Sequence, residues 1–188
     1  MKNEEFRMKN LEFRMKNSLI IAQLDNPVLR QQSQEITEIT DPILQELIDS
    51  LIAKTIEVSG VGIAAPQVSQ SIRLFILASH PNPRYPQAPK MEPIAMINPS
   101  IVSHSHEIVK DWEGCLSVPG VRGLVPRYQW VEVEYCDRFG HSQHQKLTDF
   151  VARIFQHELD HLNGLVFLDR VENPQDLQHL NAQSIQEH

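Results

Sequence analysis

The stretch TDFVARIFQHELDHLNG, residues 148–164, constrains this chain more than any other. Val151, Phe155, Leu159 and Leu162 recur at spacings of three and four. That period places apolar side chains on one side of an α-helix and commits that side to a core. Gly164 is a natural terminator. Off this stripe, His157 and His161 stand four residues apart with Glu158 on the flank. One helical turn separates the imidazoles, so both can reach a single cation while the carboxylate touches a ligand on it. Polar residues on an exposed helix face would be the plainer explanation, but H-E-x-x-H set beside a clear core stripe favours a metal.

Two histidines do not complete a catalytic metal site, which takes three protein ligands and an open position for water. Metalloproteases find their third ligand downstream. A metzincin would have histidine at position 167, where this chain has Phe167. A thermolysin-like enzyme takes a glutamate from a second helix, yet Glu172 follows too closely and Glu187 sits in a polar tail. Upstream lies DWEGCLSVPGVRG, with Cys115 in an apolar, turn-bounded setting. A thiolate there would give a Cys-His-His site with one vacancy, as hydrolytic metals require.

The remaining sequence frames one domain. At 188 residues the chain can bury one full core but not two comfortable ones. A net charge of −7 argues against nucleic acid as substrate, which calls for clustered Lys and Arg. No apolar run suggests a membrane span, and the acids Glu4, Glu5 and Glu12 disfavour targeting signals. Cys115 and Cys136 are too few for a disulfide scaffold, so free thiols in a cytoplasmic setting are expected. Residues 1–17 repeat MKNEEFR, MKNLEFR, MKN, too briefly for a coiled coil, and read as a duplicated, frayed extension with three start methionines. A catalytic domain over 18–171 and a polar tail over 172–188, with at most a short surface helix, complete the division.

Within that domain, Asp41 and Pro42 open an amphipathic helix whose buried stripe is Leu44, Leu47, Ile48, Leu51 and Thr55, and Gly60 ends it. RLFIL, IAMINPSIV and QWVEVEYCDRFGH read as strands, the last turning at Gly140. The proline-rich span 80–93 reads as a surface loop. The fold class expected is α+β, with short antiparallel strands packed around a central metal-binding helix. His104 and His106, and His141 and His144, lack a third donor and are expected in solvent, and Cys136 as a small apolar filler.

GVGIAAPQ (60–67), EGCLS (113–117) and QHELDH (156–161), in that order, resemble the three motifs of the peptide deformylases, over about Ser18 to Val171. The resemblance implies hydrolysis of the formyl group from the N-terminal formylmethionine of new polypeptides, with release of formate. It assigns Cys115, His157 and His161 to the metal, Glu158 as general acid–base, and the Gln67 side chain and Leu116 backbone N–H as donors to the formyl oxygen. Val61, Gly62 and Gly114 match positions that contact substrate. The small residues Gly60, Gly62, Ala64 and Ala65 would let an extended peptide pair with main-chain groups, although a tight turn needs glycine too. Gln67 taken alone would pass for a buried structural amide. Glu113 and Arg122 read either as shaping the pocket or as surface charges. The resemblance points to Fe²⁺ as the one divalent metal in the cell, while Zn²⁺, Ni²⁺ or Co²⁺ suit the same donors in purified protein. Docking near the ribosomal exit tunnel is left open. Two rivals stand beside this reading: a metalloprotease that cuts internal bonds, and a non-catalytic module with a closed structural metal.

Overall fold

The computed structural model describes residues 19–180. The duplicated segment and the end of the tail lie outside the described residues. Two α-helices and eight strands follow in the order β1 (Gly62–Ala64), β2 (Leu74–Leu77), β3 (Ile94–His104), β4 (Ile108–Cys115), β5 (Val118–Tyr128), β6 (Trp130–Cys136), β7 (Ser142–Thr148) and β8 (Leu177–His179), with α1 (Pro42–Glu57) before β1 and α2 (Asp149–Leu162) after β7. One sheet runs β1-β2-β3-β6-β7 and the other β4-β5-β8, and every pairing is antiparallel. The fold is therefore α+β.

The β2 run LFIL is apolar at every position because both faces of its sheet are covered. Successive side chains point to opposite faces. Leu74 and Ile76 join Leu44, Leu47, Ile48 and Leu51 of α1 in one core. Phe75 and Leu77 join Ala152, Ile154, Phe155 and Leu162 of α2 in another. Phe75 meets Phe155 edge to face, with ring centroids 5.3 Å apart, a favoured aromatic geometry. The five-stranded sheet thus lies between the two helices, and α2 also touches β5 of the smaller sheet.

All five residues of the expected α1 stripe are buried. Asp41 accepts a hydrogen bond from Ile43 N–H at 2.8 Å, satisfying one free N–H of the first turn. The helix stops at Glu57, before Gly60, because Ser59 takes a positive φ of 49°. In α2 the expected stripe is only half right: Phe155 and Leu162 are buried, while Val151 and Leu159 are half-exposed. The polar side is not in solvent either, since Arg153, Gln156, Asp160 and His161 are all buried. Packing against two sheets encloses the helix nearly all round. Gly164 ends it with φ +74° and also lets Arg30 approach, for a Cβ there would lie 2.9 Å from the Arg30 carbonyl.

The expected strands form, but the β4–β5 hairpin around Cys115 exceeds what the sequence suggested. The tail also differs: Leu177–His179 pairs with Val121–Gly123 as an edge strand after a single 3-10 turn at Pro174–Asp176. Among the described residues no helix is long and apolar enough to cross a membrane.

Candidate metal centre and substrate cleft

Two elements bring the donors together. Antiparallel pairing carries β4 to its end at Cys115, where Leu116 and Ser117 form the hairpin turn. One turn of α2 presents His157 and His161 opposite, with ring centroids 5.1 Å apart. Cys115 Sγ lies 3.3 Å from His161 Nε2, and one donor atom from each of the three residues lies within 4.8 Å of the others. No other such group occurs among the described residues. His104 stacks on Tyr128, and His104, His106, His141 and His144 are exposed. Cys136 packs on the α1 side of the large sheet.

The electrostatics suit a cation. Burial alone would push the Cys115 thiol up, but the charge of His161 and hydrogen bonds from His157 and His161 hold it well below the usual thiol range. A thiolate is the form that ligates a metal. Burial would lower His157, yet contacts with Cys115 and Glu113 raise it well above an ordinary histidine. The Glu113 carboxylate accepts from His157 Nδ1 at 2.9 Å, leaving Nε2 to face the site. Metal-binding histidines are commonly fixed by such a carboxylate. Glu113 is thus no surface charge: its residue is 3% exposed, and Arg127 grips it through Nε at 2.9 Å and Nη2 at 3.0 Å.

Glu158 is buried, and its Oε2 has no hydrogen-bond partner among the described residues, nor does His161 Nδ1. Orphaned buried polar atoms are rare, and a carboxylate oxygen beside three metal donors is suited to a water. Burial raises the Glu158 carboxyl to about 7. The adjoining cavity, of about 50 Å³, exceeds the ~10–15 Å³ that one water needs. A Cβ on Gly62 would stand 2.6 Å from Glu158 Oε1, so only glycine leaves the carboxylate its place. Gln67 is held at both ends of its amide: Oε1 accepts from Ala64 N–H at 2.9 Å, while Nε2 donates to Ser117 Oγ at 3.2 Å and to Cys115 Sγ at 3.5 Å. The arrangement fits one divalent metal with N and S ligands and a place for water.

Val61, Gly62, Gln67, Gly114, Cys115, Leu116, His157 and Glu158 line this cavity, and His161 stands behind it, fully buried. A second cavity of about 460 Å³ continues from it between the proline-rich loop and the β4–β5 hairpin, with Arg122 on its wall. Sequence reasoning missed Arg84, Tyr85, Phe150 and Ile154, which also line the inner cavity. Tyr85 packs on Phe150 with ring centroids 4.9 Å apart, and Arg84 Nη2 donates to Ser59 O at 3.1 Å. The 80–93 span is a loop, as expected, but it forms one wall of the cleft. An arginine and an aromatic among prolines was the signal available.

Comparison with known proteins agrees with these motifs. Residues 18–176 match the family model described as polypeptide deformylase. The chain is 66% identical over 155 residues to peptide deformylase 2 of Nostoc sp., covering 82% of this chain and 87% of that one. It is 48% identical to peptide deformylase 2 of Shewanella oneidensis, covering 84% and 86%. Among solved structures, a Met-Ala-Ser-bound class I type b peptide deformylase of Acinetobacter baumannii superposes with a TM-score of 0.79 at 42% identity, covering 82% of this chain and 99% of that one. A matched family model over most of the chain, joined to relatives this similar, shows that the chain belongs to the peptide deformylases, hydrolases that remove the N-terminal formyl group.

Proposed function

We propose that this chain is a metal-dependent deformylase in which Cys115, His157 and His161 hold one divalent ion and Glu158 moves the protons. The observation that carries the reading is the convergence of those three donors beside a buried carboxylate oxygen that has no hydrogen-bond partner among the described residues. When bound, the ion supplies Lewis acidity that brings the pKa of a water down toward neutrality. Glu158 takes a proton from that water as its oxygen adds to the formyl carbon. The C–N bond then breaks, and Glu158 returns the proton to the departing amine, so formate and a free N-terminus result. The formyl oxygen becomes negative on the way. Leu116 N–H and Gln67 Nε2 donate to it, Gln67 giving up its longer bond to sulfur.

Val61, Gly62 and Gly114 bind the peptide. Among the described residues strand β1 has β2 on one side and no partner on the other, which leaves an edge for an extended substrate to join. Fe²⁺ is the proposed ion in the cell, with Zn²⁺, Ni²⁺ or Co²⁺ able to replace it. The substrates are formylmethionyl N-termini of nascent polypeptides, met in the cytoplasm, where free thiols such as Cys115 and Cys136 persist; docking beside the ribosomal exit tunnel would bring them within reach.

The test is anaerobic loading with Fe²⁺ and assay on formyl-Met-Ala-Ser. Formate release with the tripeptide chain intact is expected, and Glu158→Gln should keep its metal while losing activity. Internal cleavage without formate would favour a protease instead. An inactive parent with four protein ligands would favour the binding module.

A further inference from the structure

Beyond the metal donors, five charged side chains from four segments form one continuous chain. Glu113 of β4 accepts from His157 Nδ1, from Arg127 of β5, and from Arg153 Nη1 at 2.8 Å. The far end of the Arg127 guanidinium, Nη1, donates to Asp160 Oδ2 at 2.6 Å. Asp160 in turn accepts from Arg170, through Nη2 at 2.6 Å and Nε at 3.1 Å. Glu113, Arg127, Arg153 and Asp160 are buried, whereas the Arg170 side chain is 45% exposed. The four buried charges cancel.

The placement of this chain matters more than its charge. Glu113 lies two residues before Cys115 on one strand, and Asp160 lies between His157 and His161 on α2. Arg127 is therefore a rigid crosspiece between the segment that supplies sulfur and the segment that supplies both nitrogens. A planar guanidinium with fixed donors can hold two carboxylates at a set separation, which a flexible lysine cannot. Asp160 shares its Oδ2 between Arg127 and Arg170, so Arg170 fixes the outer end of the crosspiece.

We propose that Arg127, clamped between Glu113 and Asp160 and braced from outside by Arg170, sets the distance between Cys115 and the two histidines and so governs metal retention. These are positioning residues, since they act through the side chains and segments that carry the three donors rather than as ligands; of them only Glu113 also lines the inner cavity. The inference rests on the three-ligand reading of the metal site.

Two variants leave Arg127 in place: Asp160→Asn, which weakens the pull on Nη1, and Arg170→Ala, at a half-exposed position. Each is loaded with Zn²⁺, and release to a chromogenic chelator is timed at 25 °C. Outer partners of metal ligands typically change metal affinity by about 10–100-fold. Release should quicken within that range for Asp160→Asn and by about 10-fold for Arg170→Ala, with Arg170→Lys between parent and alanine. The Co²⁺ forms provide a second readout, because the thiolate-to-cobalt absorption band should weaken or shift in the same order. A purely structural role would lower the Tm of the metal-free proteins and leave release and spectrum unchanged. Release within about twofold of parent, from folded variants with the parent spectrum, overturns the positioning role and leaves the ligand set standing. A parent without the thiolate band overturns both.

Discussion

Gly62→Ala tests the placement of Glu158, the proposed general base, without touching the proposed metal ligands. Gly62 has no left-handed φ, so alanine fits the backbone, and its neighbours in β1 keep their pairing with β2. The added methyl would meet Glu158 Oε1 at 2.6 Å and its Cδ and Cγ at 3.0 Å. The carboxylate is the end of a rotatable side chain, so it yields rather than the fold. To regain ordinary contact it must retreat by about 0.8 Å from its present position, and a misplacement of roughly 1 Å can cost on the order of 10²-fold in rate. We expect kcat/KM for formyl-Met-Ala-Ser to fall about 10²-fold, close to 2.7 kcal/mol of transition-state stabilisation. Zn²⁺ content and thermal stability should remain near parent values. A continuous formate assay over a substrate series separates the two parameters: loss in kcat follows from a displaced base, and loss in KM alone from a narrowed cleft. Activity within a few-fold of parent, or loss confined to KM, would refute the reasoning that Glu158 must occupy the space beside Gly62.

Three further outcomes follow from the site. Glu113→Gln should weaken Zn²⁺ affinity by about 10–100-fold, measured by competition with a chelator, because His157 Nδ1 loses its charged acceptor; unchanged affinity would make Glu113 a core filler. Cys115→Ser should lose most of its bound metal by elemental analysis, and full occupancy would mean the third ligand lies elsewhere. In the metal-free protein, burial raises Glu158 from its ordinary 4.5 to about 7, so between those values the folded state binds more protons than the unfolded chain. The stability that this group contributes is therefore complete below its unfolded value and is lost as pH rises through about 7. Urea unfolding of the metal-free parent against Glu158→Gln should show the parent falling behind as pH rises; a pH-independent difference would contradict this.

How much of this was legible in the sequence depended on whether the cause was local. The α2 histidines and Glu158 were readable because a single turn of helix fixes their relation. Cys115 was singled out by its setting rather than by its spacing, for the histidines it meets lie more than forty residues away. The β4–β5 hairpin was not readable as paired strands. Val118–Tyr128 contains Pro119, Gly120, Gly123 and Pro126, which depress strand propensity, and its pairing with β4 and β8 overrides that preference. Gly123 has a tertiary reason: a Cβ there would come within 2.8 Å of Val171 and 3.0 Å of Phe167. Glu113 looked equivocal because Arg127, Arg153 and His157 become its neighbours only on folding. The Tyr85 and Arg84 wall was hidden for the same reason, in a span whose prolines announced a loop but not what it covers.

In the proposed site one sulfur and two imidazole nitrogens hold a single ion with room left for solvent. X-ray absorption at the iron edge, on protein loaded anaerobically with Fe²⁺, measures this most directly. The spectrum should show one sulfur scatterer, two imidazoles and at least one light-atom scatterer that exchanges with added formate. A spectrum without sulfur, or one whose remaining positions are all filled by protein groups that formate cannot displace, would contradict it.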